Sequence, residues 1–449
     1  MEHKKRSKIS TVGLVAMICI MVAGGGYGIE DLIGSVGPGM TMLVLLVIPF
    51  IWSIPFGLVS AELSSAYPED GGMYTWARES LGEKAGFISG WCYTVAGFVE
   101  PALFAVLSAN YARGFFPFEL NSFQYWMLCA GIITVLSIVN FFGIKVLSNM
   151  ATVITIVCLL PFVILIILSF MNIQYNPVTP FKPEEISIFQ ALGQGLLIAI
   201  WFNTGFEAVS TMSGEIEDGA KKLPKAILIS VPIISIMYMV FIFPALAAVG
   251  NWQDWSSEGP LSFIELGLAL GGEALKWGFI IAGTLTSLMI TCQYIAAYSR
   301  VMSSMAEKGQ FFQCFAIEHK KYGTPYVSIL IGGIVAIAIC SSGSFIELVG
   351  VASILYSVPV IMMFVAAIKL RIQKPDLKLE YKVPLRNKTF IAYICVPIVL
   401  YAGSVFADNW IVGLGLALTS IPAYYFFRYI YKKGRLWSVD ERVEQTEPA

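Results

Sequence analysis

The run Gly24-Gly25-Gly26-Tyr27-Gly28-Ile29-Glu30-Asp31 sits at the end of an otherwise apolar segment, residues 10–36. Four of its first five residues are glycine, and each glycine weakens a helix by roughly 1 kcal/mol relative to alanine. A helix apolar enough to enter a bilayer, yet weakened in its middle-to-outer part, predicts an interruption at membrane depth. Such backbone is tolerated only where protein buries it or where it lines a wet cavity. A milder version lies in segment 187–213, at Trp201-Phe202-Asn203-Thr204-Gly205-Phe206-Glu207, with polar groups where a lipid-facing helix is apolar. The alternative is that the glycines only let helices pack closely, as Gly24-x-x-x-Gly28 would. Two weak points five spans apart favour unwinding, which is the sequence pointer to transporters built from inverted repeats.

The rest of the chain fits a membrane. Of 449 residues, 57% are hydrophobic and only 13% are charged, against about 25% charged in soluble domains. That is too little charge to cover a soluble surface, and the mean hydropathy of +0.74 agrees. A net charge of −1 supplies no basic field for nucleic acid. Only two histidines occur, His3 and His319, which argues against a His-built metal site. The eight cysteines show no C-x-x-C spacing, and all but Cys314 lie in apolar runs, so they read as small core hydrophobes. No G-x-x-x-x-G-K-[ST] phosphate loop is present, so whatever the chain moves is coupled to an ion gradient or to exchange.

A window of about 20 residues, the length that crosses a bilayer core, gives twelve segments. They are 10–36, 40–66, 84–111, 123–142, 149–171, 187–213, 224–249, 272–305, 325–342, 345–370, 389–407 and 409–431. The basic stretch before the first, Lys4 to Lys8, is followed by no small-residue cleavage site, so this segment reads as a retained span. With the N-terminus in the cytoplasm, only Arg113, Lys182 and Lys276 of the 29 Lys and Arg fall outside. The positive-inside rule therefore predicts both termini in the cytoplasm.

Carboxylates inside a bilayer are expensive and functional by default. Glu30 and Asp31 follow the glycine run, with a position at the outer interface as their alternative reading. Glu100 lies in segment 84–111 between Val99 and Pro101, and Glu207 follows the second weak point. No Lys or Arg is expected deep in any span. Carboxylates held together away from water bind and release protons nearer neutral pH than exposed ones. They also favour a cationic substrate, at about 4 kcal/mol per pair for ~4 Å and an effective dielectric of ~20, before desolvation.

Motifs in two loops add a family. The stretch from Ala61-Glu62-Leu63-Ser64-Ser65 through Tyr67-Pro68-Glu69-Asp70-Gly71-Gly72 to Leu81-Gly82 resembles the second-helix and loop signature of amino acid–polyamine–organocation permeases. Gly214-Glu215-Ile216-Glu217-Asp218 to Leu223-Pro224-Lys225-Ala226 resembles the loop after their sixth helix. The resemblance covers nearly the whole chain in span count and order. It implies the leucine-transporter-type fold: an all-α polytopic protein with a 5+5 inverted repeat, broken helices 1 and 6, and twelve transmembrane helices. Repeat one would cover about 9–171 and repeat two about 187–371, within a transport core at 1–371. Residues 372–449 would hold two extra helices and a cytosolic tail.

Within that superfamily, Gly28-Ile29-Glu30-Asp31, Ile51-Trp52-Ser53-Ile54-Pro55 and Val209-Ser210-Thr211-Met212-Ser213-Gly214-Glu215 are similar to polyamine:proton symporters, whose helices 3 and 6 carry acids at positions matching Glu100 and Glu207. One departure concerns coupling. Many proton-coupled amino-acid permeases carry a helix 5 lysine in place of a sodium ion, and the aligned residue here is Cys158. Pro68 to Gly82 reads as a short amphipathic helix at the cytosolic interface. Glu215, Glu217 and Asp218 face Lys221, Lys222 and Lys225 in one loop, either as a solvated charge run or as a gate.

The expected function is proton-coupled uptake of an organic amine across the plasma membrane, a cationic polyamine of the putrescine or spermidine class. The alternative is an amino-acid permease or exchanger of the same superfamily. The expected substrate-binding set is Gly26, Tyr27, Gly28, Ile29, Glu30, Glu100, Trp201, Asn203, Gly205, Phe206 and Glu207, with Asp31, Glu62 and Glu215 as coupling or gating candidates. Catalytic residues, metal and cofactor are not expected. The transmembrane proton gradient is the energy source, with sodium as the alternative ion. The partners are the small-molecule substrate and the lipid bilayer, with no nucleic acid and no obligate protein partner. A channel would want filter residues and an enzyme a nucleophile–base or metal constellation, and the chain offers neither.

Overall fold

The computed structural model describes residues 7–24, 27, 29–116, 118, 120–255, 262–341, 345–405 and 410–432. Its helices in chain order are α1 (Thr11–Ala23), α2 (Glu30–Val36), α3 (Pro38–Ile48), α4 (Ile54–Ala66), α5 (Met73–Leu81), α6 (Glu83–Ala112), α7 (Ser122–Asn140) and α8 (Ile144–Met171). There follow α9 (Ile188–Phe202), α10 (Gly219–Ala248), α11 (Phe263–Glu307), α12 (Tyr326–Ile339), α13 (Phe345–Gln373), α14 (Asn387–Val405), α15 (Trp410–Leu418) and α16 (Ser420–Lys432). Among the described residues no strand forms, and a β-bridge joins Ser7 to Ile216.

Local chemistry explains where the helices start. Asn121 with Gln124, Ser187 with Gln190 and Ser262 with Glu265 form capping boxes at the starts of α7, α9 and α11, each satisfying N–H groups that the first turn leaves free. Between α2 and α3, Gly37 adopts φ +81°, and Pro38 opens α3 with the fixed φ that suits a first helical position. A π-helical turn at Pro49–Ser53 joins α3 to α4. It is bracketed by Pro49 and Pro55, which have no N–H to give the ladder, and it aims Trp52 and Ser53 at the second weak point described below. Residues 263–307 are two helices in line, kinked at Gly272 with φ +67°.

Seven of these runs are long and apolar enough to cross a membrane: 38–66, 83–112, 122–140, 144–171, 219–248, 263–307 and 351–373. Shorter apolar helices cover 11–23, 188–202, 326–339 and 387–401. Burial separates the long ones. The apolar stretches of α6 and α11 are 83% and 72% buried, so these two form the centre, while α7 and α8, at 22% and 28%, turn most of their surface outward. Helix α5 is amphipathic, and its apolar face packs on protein: Trp76 and Tyr74 are fully buried, with α5 wedged against α6 and α13 and Glu79 exposed on the opposite side.

Candidate functional site

The first weak point is a break in the helix. α1 stops at Ala23, and Gly24 takes a left-handed φ of +50° and donates its N–H to the Ile20 carbonyl. A Cβ there would be strained by that φ and would sit 3.3 Å from Ile290 of α11. Gly26 and Gly28 lie outside the described residues. Ile29 is buried at the entrance to α2. The buried Glu30 carboxylate accepts the Phe263 N–H at 3.2 Å, at the N-terminus of α11, where a negative group is favoured. Asp31, beside it, is half-buried. The Tyr27 hydroxyl donates to the Phe279 carbonyl at 3.1 Å, and its ring packs on Tyr111, Phe162, Phe263 and Phe279. Tyr27 and Glu30 thus belong to one aromatic and capping cluster.

At the second weak point α9 ends at Phe202, Gly205 adopts φ +114°, and the chain resumes as a 3₁₀ helix over Ala208–Glu215. Side chains occupy the backbone groups freed there. The Trp52 indole donates to the Asn203 carbonyl at 3.0 Å, and the Ser53 hydroxyl to Asn203 Oδ1 at 2.9 Å. The Tyr238 hydroxyl lies 2.8 Å from the Phe202 carbonyl and 3.3 Å from the Val22 carbonyl, so one α10 side chain ties the ends of both broken helices. Phe206 is fully buried and packs on Phe56 at 6.1 Å between centroids.

The remaining acids form a second cluster. Glu100 on α6 is 4% exposed and Glu207, just beyond the second break, is 0% exposed. The Tyr356 hydroxyl of α13 donates to Glu207 Oε1. Glu100 Oε2 and Glu207 Oε2 have no hydrogen-bond partner among the described residues. Both carboxylates act electrostatically on the Tyr93, Tyr294 and Tyr401 hydroxyls, so the five groups lie within electrostatic range of one another. Its walls are aromatic: Phe104 stacks on Trp201 at 6.3 Å and on Tyr294 at 5.6 Å, and Tyr93 packs on Tyr356 at 5.7 Å. Among the described residues, no ion pair involves either acid. Two buried carboxylates among ring faces favour positive charge, by ion pairing and by the ring faces.

Sequence reasoning did not single out Tyr93, Tyr294, Tyr356 or Tyr401. One signal was available. Tyr93, Gly97, Glu100 and Phe104 follow the 4-3-4 spacing that puts side chains on one helix face.

Glu62 and Glu215 lie elsewhere, towards the end where the described chain begins. Arg371 donates from Nε to Glu62 Oε1 at 2.5 Å and from Nη2 to Glu62 Oε2, which also accepts the Val383 N–H at 2.8 Å. The same guanidinium reaches the Val383 and Leu385 carbonyls, and its flat face lies over Phe390. Arg300 donates to both oxygens of Glu215, at 2.8 and 3.5 Å. Two expectations change here. Arg300 within α11 and Arg371 near the end of α13 are 1% and 3% exposed, so arginines do lie buried in these helices. The partner of Glu215 is Arg300, not the lysines of its own loop, because a strand-like contact of residues 215–217 with Ser7 holds that loop against α11. Cys158 is also engaged, its thiol donating to the Ala282 carbonyl at 3.3 Å and accepting from the Thr286 hydroxyl at 2.9 Å.

Known proteins resemble this chain over most of its length. It is 29% identical over 399 residues to polyamine transporter PUT1 of Oryza sativa subsp. japonica, covering 88% of this chain and 73% of the relative. It is 28% identical over 422 residues to polyamine transporter RMV1 of Arabidopsis thaliana, covering 93% and 83%. It is also 25% identical over 382 residues to the branched-chain amino acid permease BcaP of Bacillus subtilis (strain 168), covering 80% of each. The amino acid permease family model matches residues 9–429, and with that match over an all-helical, membrane-spanning chain, the protein belongs to the amino acid permeases of the amino acid–polyamine–organocation superfamily and is a transporter, not an enzyme.

Proposed function

We propose that this permease imports a cationic polyamine, of the putrescine or spermidine class, coupled to an inward proton gradient. The observation that carries the reading is the pocket of Glu100 and Glu207. Each holds a buried carboxylate oxygen without a partner among the described residues, and the surrounding rings offer faces to a cation. A neutral zwitterion would bring its own carboxylate into that field, which is unfavourable there. The names of PUT1 and RMV1, both polyamine transporters, agree with a cationic substrate.

Twelve spans would arise from α1 with α2, α3 with α4, α6, α7, α8, α9 with the 3₁₀ segment, α10, α11, α12, α13, α14, and α15 with α16. The breaks at the first and sixth support the 5+5 inverted repeat over about 9–171 and 187–371. Both termini would lie in the cytoplasm of a cell whose plasma membrane the chain spans, on the strength of the lysine and arginine distribution. Terminal tags on intact cells are then expected to resist external protease, and a cleaved tag would reverse the topology. Proton coupling rests on carboxylates as the carriers. In proteoliposomes, uptake is expected to survive removal of sodium and to collapse with a protonophore, whereas sodium-dependent uptake that ignores the protonophore would overturn it.

The deciding test is substrate binding by Glu100→Gln and Glu207→Gln. Removing one member of a desolvated charge pair costs about 2–5 kcal/mol, a loss of roughly 30-fold to several thousand-fold in affinity. Polyamine binding at parental strength in both variants would favour the amino-acid permease reading.

A further inference from the structure

Three acceptor atoms of the acid pocket are buried and have no hydrogen-bond partner among the described residues: Glu100 Oε2, Glu207 Oε2 and the Tyr93 hydroxyl. Atoms of this kind are costly to bury without donors. They lie on neighbouring elements of one buried cluster. Tyr93 and Glu100 are seven residues apart on α6, about two turns, and share a face. The Tyr93 ring packs on the Tyr356 ring at 5.7 Å, and Tyr356 holds the other oxygen of Glu207. Tyr356 thereby engages one oxygen of Glu207, and its Oε2 has no hydrogen-bond partner among the described residues.

We propose, on the polyamine reading above, that Glu100 Oε2, Glu207 Oε2 and the Tyr93 hydroxyl oxygen form a three-acceptor cradle for one terminal primary ammonium. The match is one of valence. A protonated primary amine presents three N–H donors in a tripod, and the cradle offers three acceptors, two charged and one neutral. Carboxylates and ring faces alone attract any organic cation. Acceptors that need N–H groups do more, because an analogue lacking them leaves buried polar atoms unpaired and is rejected. A quaternary ammonium, with methyl groups in place of every N–H, satisfies the charge and none of the three acceptors. The pocket therefore selects primary ammonium ends over fully methylated ones, and the neutral hydroxyl of Tyr93 contributes to selectivity without changing the charge of the site.

Calorimetric titration of the purified full chain tests this with butane-1,4-diamine and its bis(trimethylammonium) counterpart, which has the same chain and the same charge. The diamine is expected to bind about 10- to 100-fold more tightly. Tyr93→Phe keeps the ring against Tyr356 and removes one acceptor. It is expected to shrink that ratio about tenfold by weakening the diamine alone, and to leave the melting temperature of the ligand-free protein unchanged or higher, since an unpaired buried hydroxyl is gone. Equal affinities in the parent overturn the cradle while leaving the polyamine reading intact, and so does an unchanged ratio in Tyr93→Phe. Failure of the diamine to bind the parent overturns the polyamine reading and the cradle with it.

Discussion

Glu62 and Glu215, near the end where the described chain begins, are as deeply buried as Glu100 and Glu207 in the pocket: 1% and 4% exposed against 4% and 0%. Burial does not separate the two regions, but their partners do. Glu62 and Glu215 each face an arginine fork, and Glu62 takes a backbone N–H as well. Glu207 takes the Tyr356 hydroxyl on one oxygen but faces no arginine, and each pocket acid keeps an oxygen without a hydrogen-bond partner among the described residues. A fully satisfied buried pair holds helices in one arrangement. A partly satisfied acid is poised to receive a cation or a proton. The same residue type is thus fully partnered in one region and keeps an open acceptor in the other.

The largest expected effect tests the structural side of that contrast. Arg371→Leu leaves Glu62 buried without its counter-charge and strips donors from the Val383 and Leu385 carbonyls. Breaking a buried pair from one side costs about 3–5 kcal/mol. The variant is expected to unfold at markedly lower temperature and to express poorly. The double change Glu62→Met with Arg371→Leu is expected to recover much of that loss, because two apolar groups replace two charges. A single variant as stable as the parent would move this pair from the structural to the gating side.

The contrast also explains what could be read from the sequence. The two breaks were legible because glycines and polar residues inside an apolar segment serve no lipid-facing purpose, and the chain does leave its helix after Ala23 and after Phe202. Glu100 and Glu207 were conspicuous as acids in apolar runs. Arg300 and Arg371 were not, since they lie close to the ends of their segments and a hydropathy window reads them as loop charges. Their burial depends on packing from α4, the 215–217 loop and the stretch before α14, which no local window sees. Aromatics were hardest. Tyr27 and Phe206 lie at the breaks in sequence, yet both pack into aromatic clusters, while Tyr294 and Tyr356 reach the acids from helices far along the chain.

A middle-sized effect is expected at the breaks, where backbone rather than carboxylate needs satisfying. The Tyr238 hydroxyl donates to the Phe202 carbonyl at 2.8 Å and also lies 3.3 Å from the Val22 carbonyl. Tyr238→Phe leaves both without this donor in a buried place, at about 1–3 kcal/mol. Trp52 and Ser53 still hold Asn203, so the second break is expected to persist. The loss should appear as a lower melting temperature with little change in the affinity for substrate, because the hydroxyl faces backbone carbonyls and not the acids. A large loss of affinity without a stability change would instead place Tyr238 in the substrate pocket.

The smallest effect has the opposite sign, and it bears most directly on the division between the two regions. Glu100→Gln removes a charge that no basic residue pairs among the described residues, while keeping nearly the same volume in a buried site. If Glu100 is there for a ligand and not for the fold, its ionised form is a liability to the ligand-free protein. Sites of that kind trade stability for function. Ligand-free Glu100→Gln is therefore expected to melt at the parental temperature or slightly above it at neutral pH. Glu62→Gln, by contrast, loses the charge that Arg371 requires and is expected to melt below the parent. The informative quantity is the sign of the difference between the two variants, measured under the same conditions. Should Glu100→Gln destabilise as much as Glu62→Gln, the pocket acid is a structural group like the others, and its open oxygen carries no functional meaning.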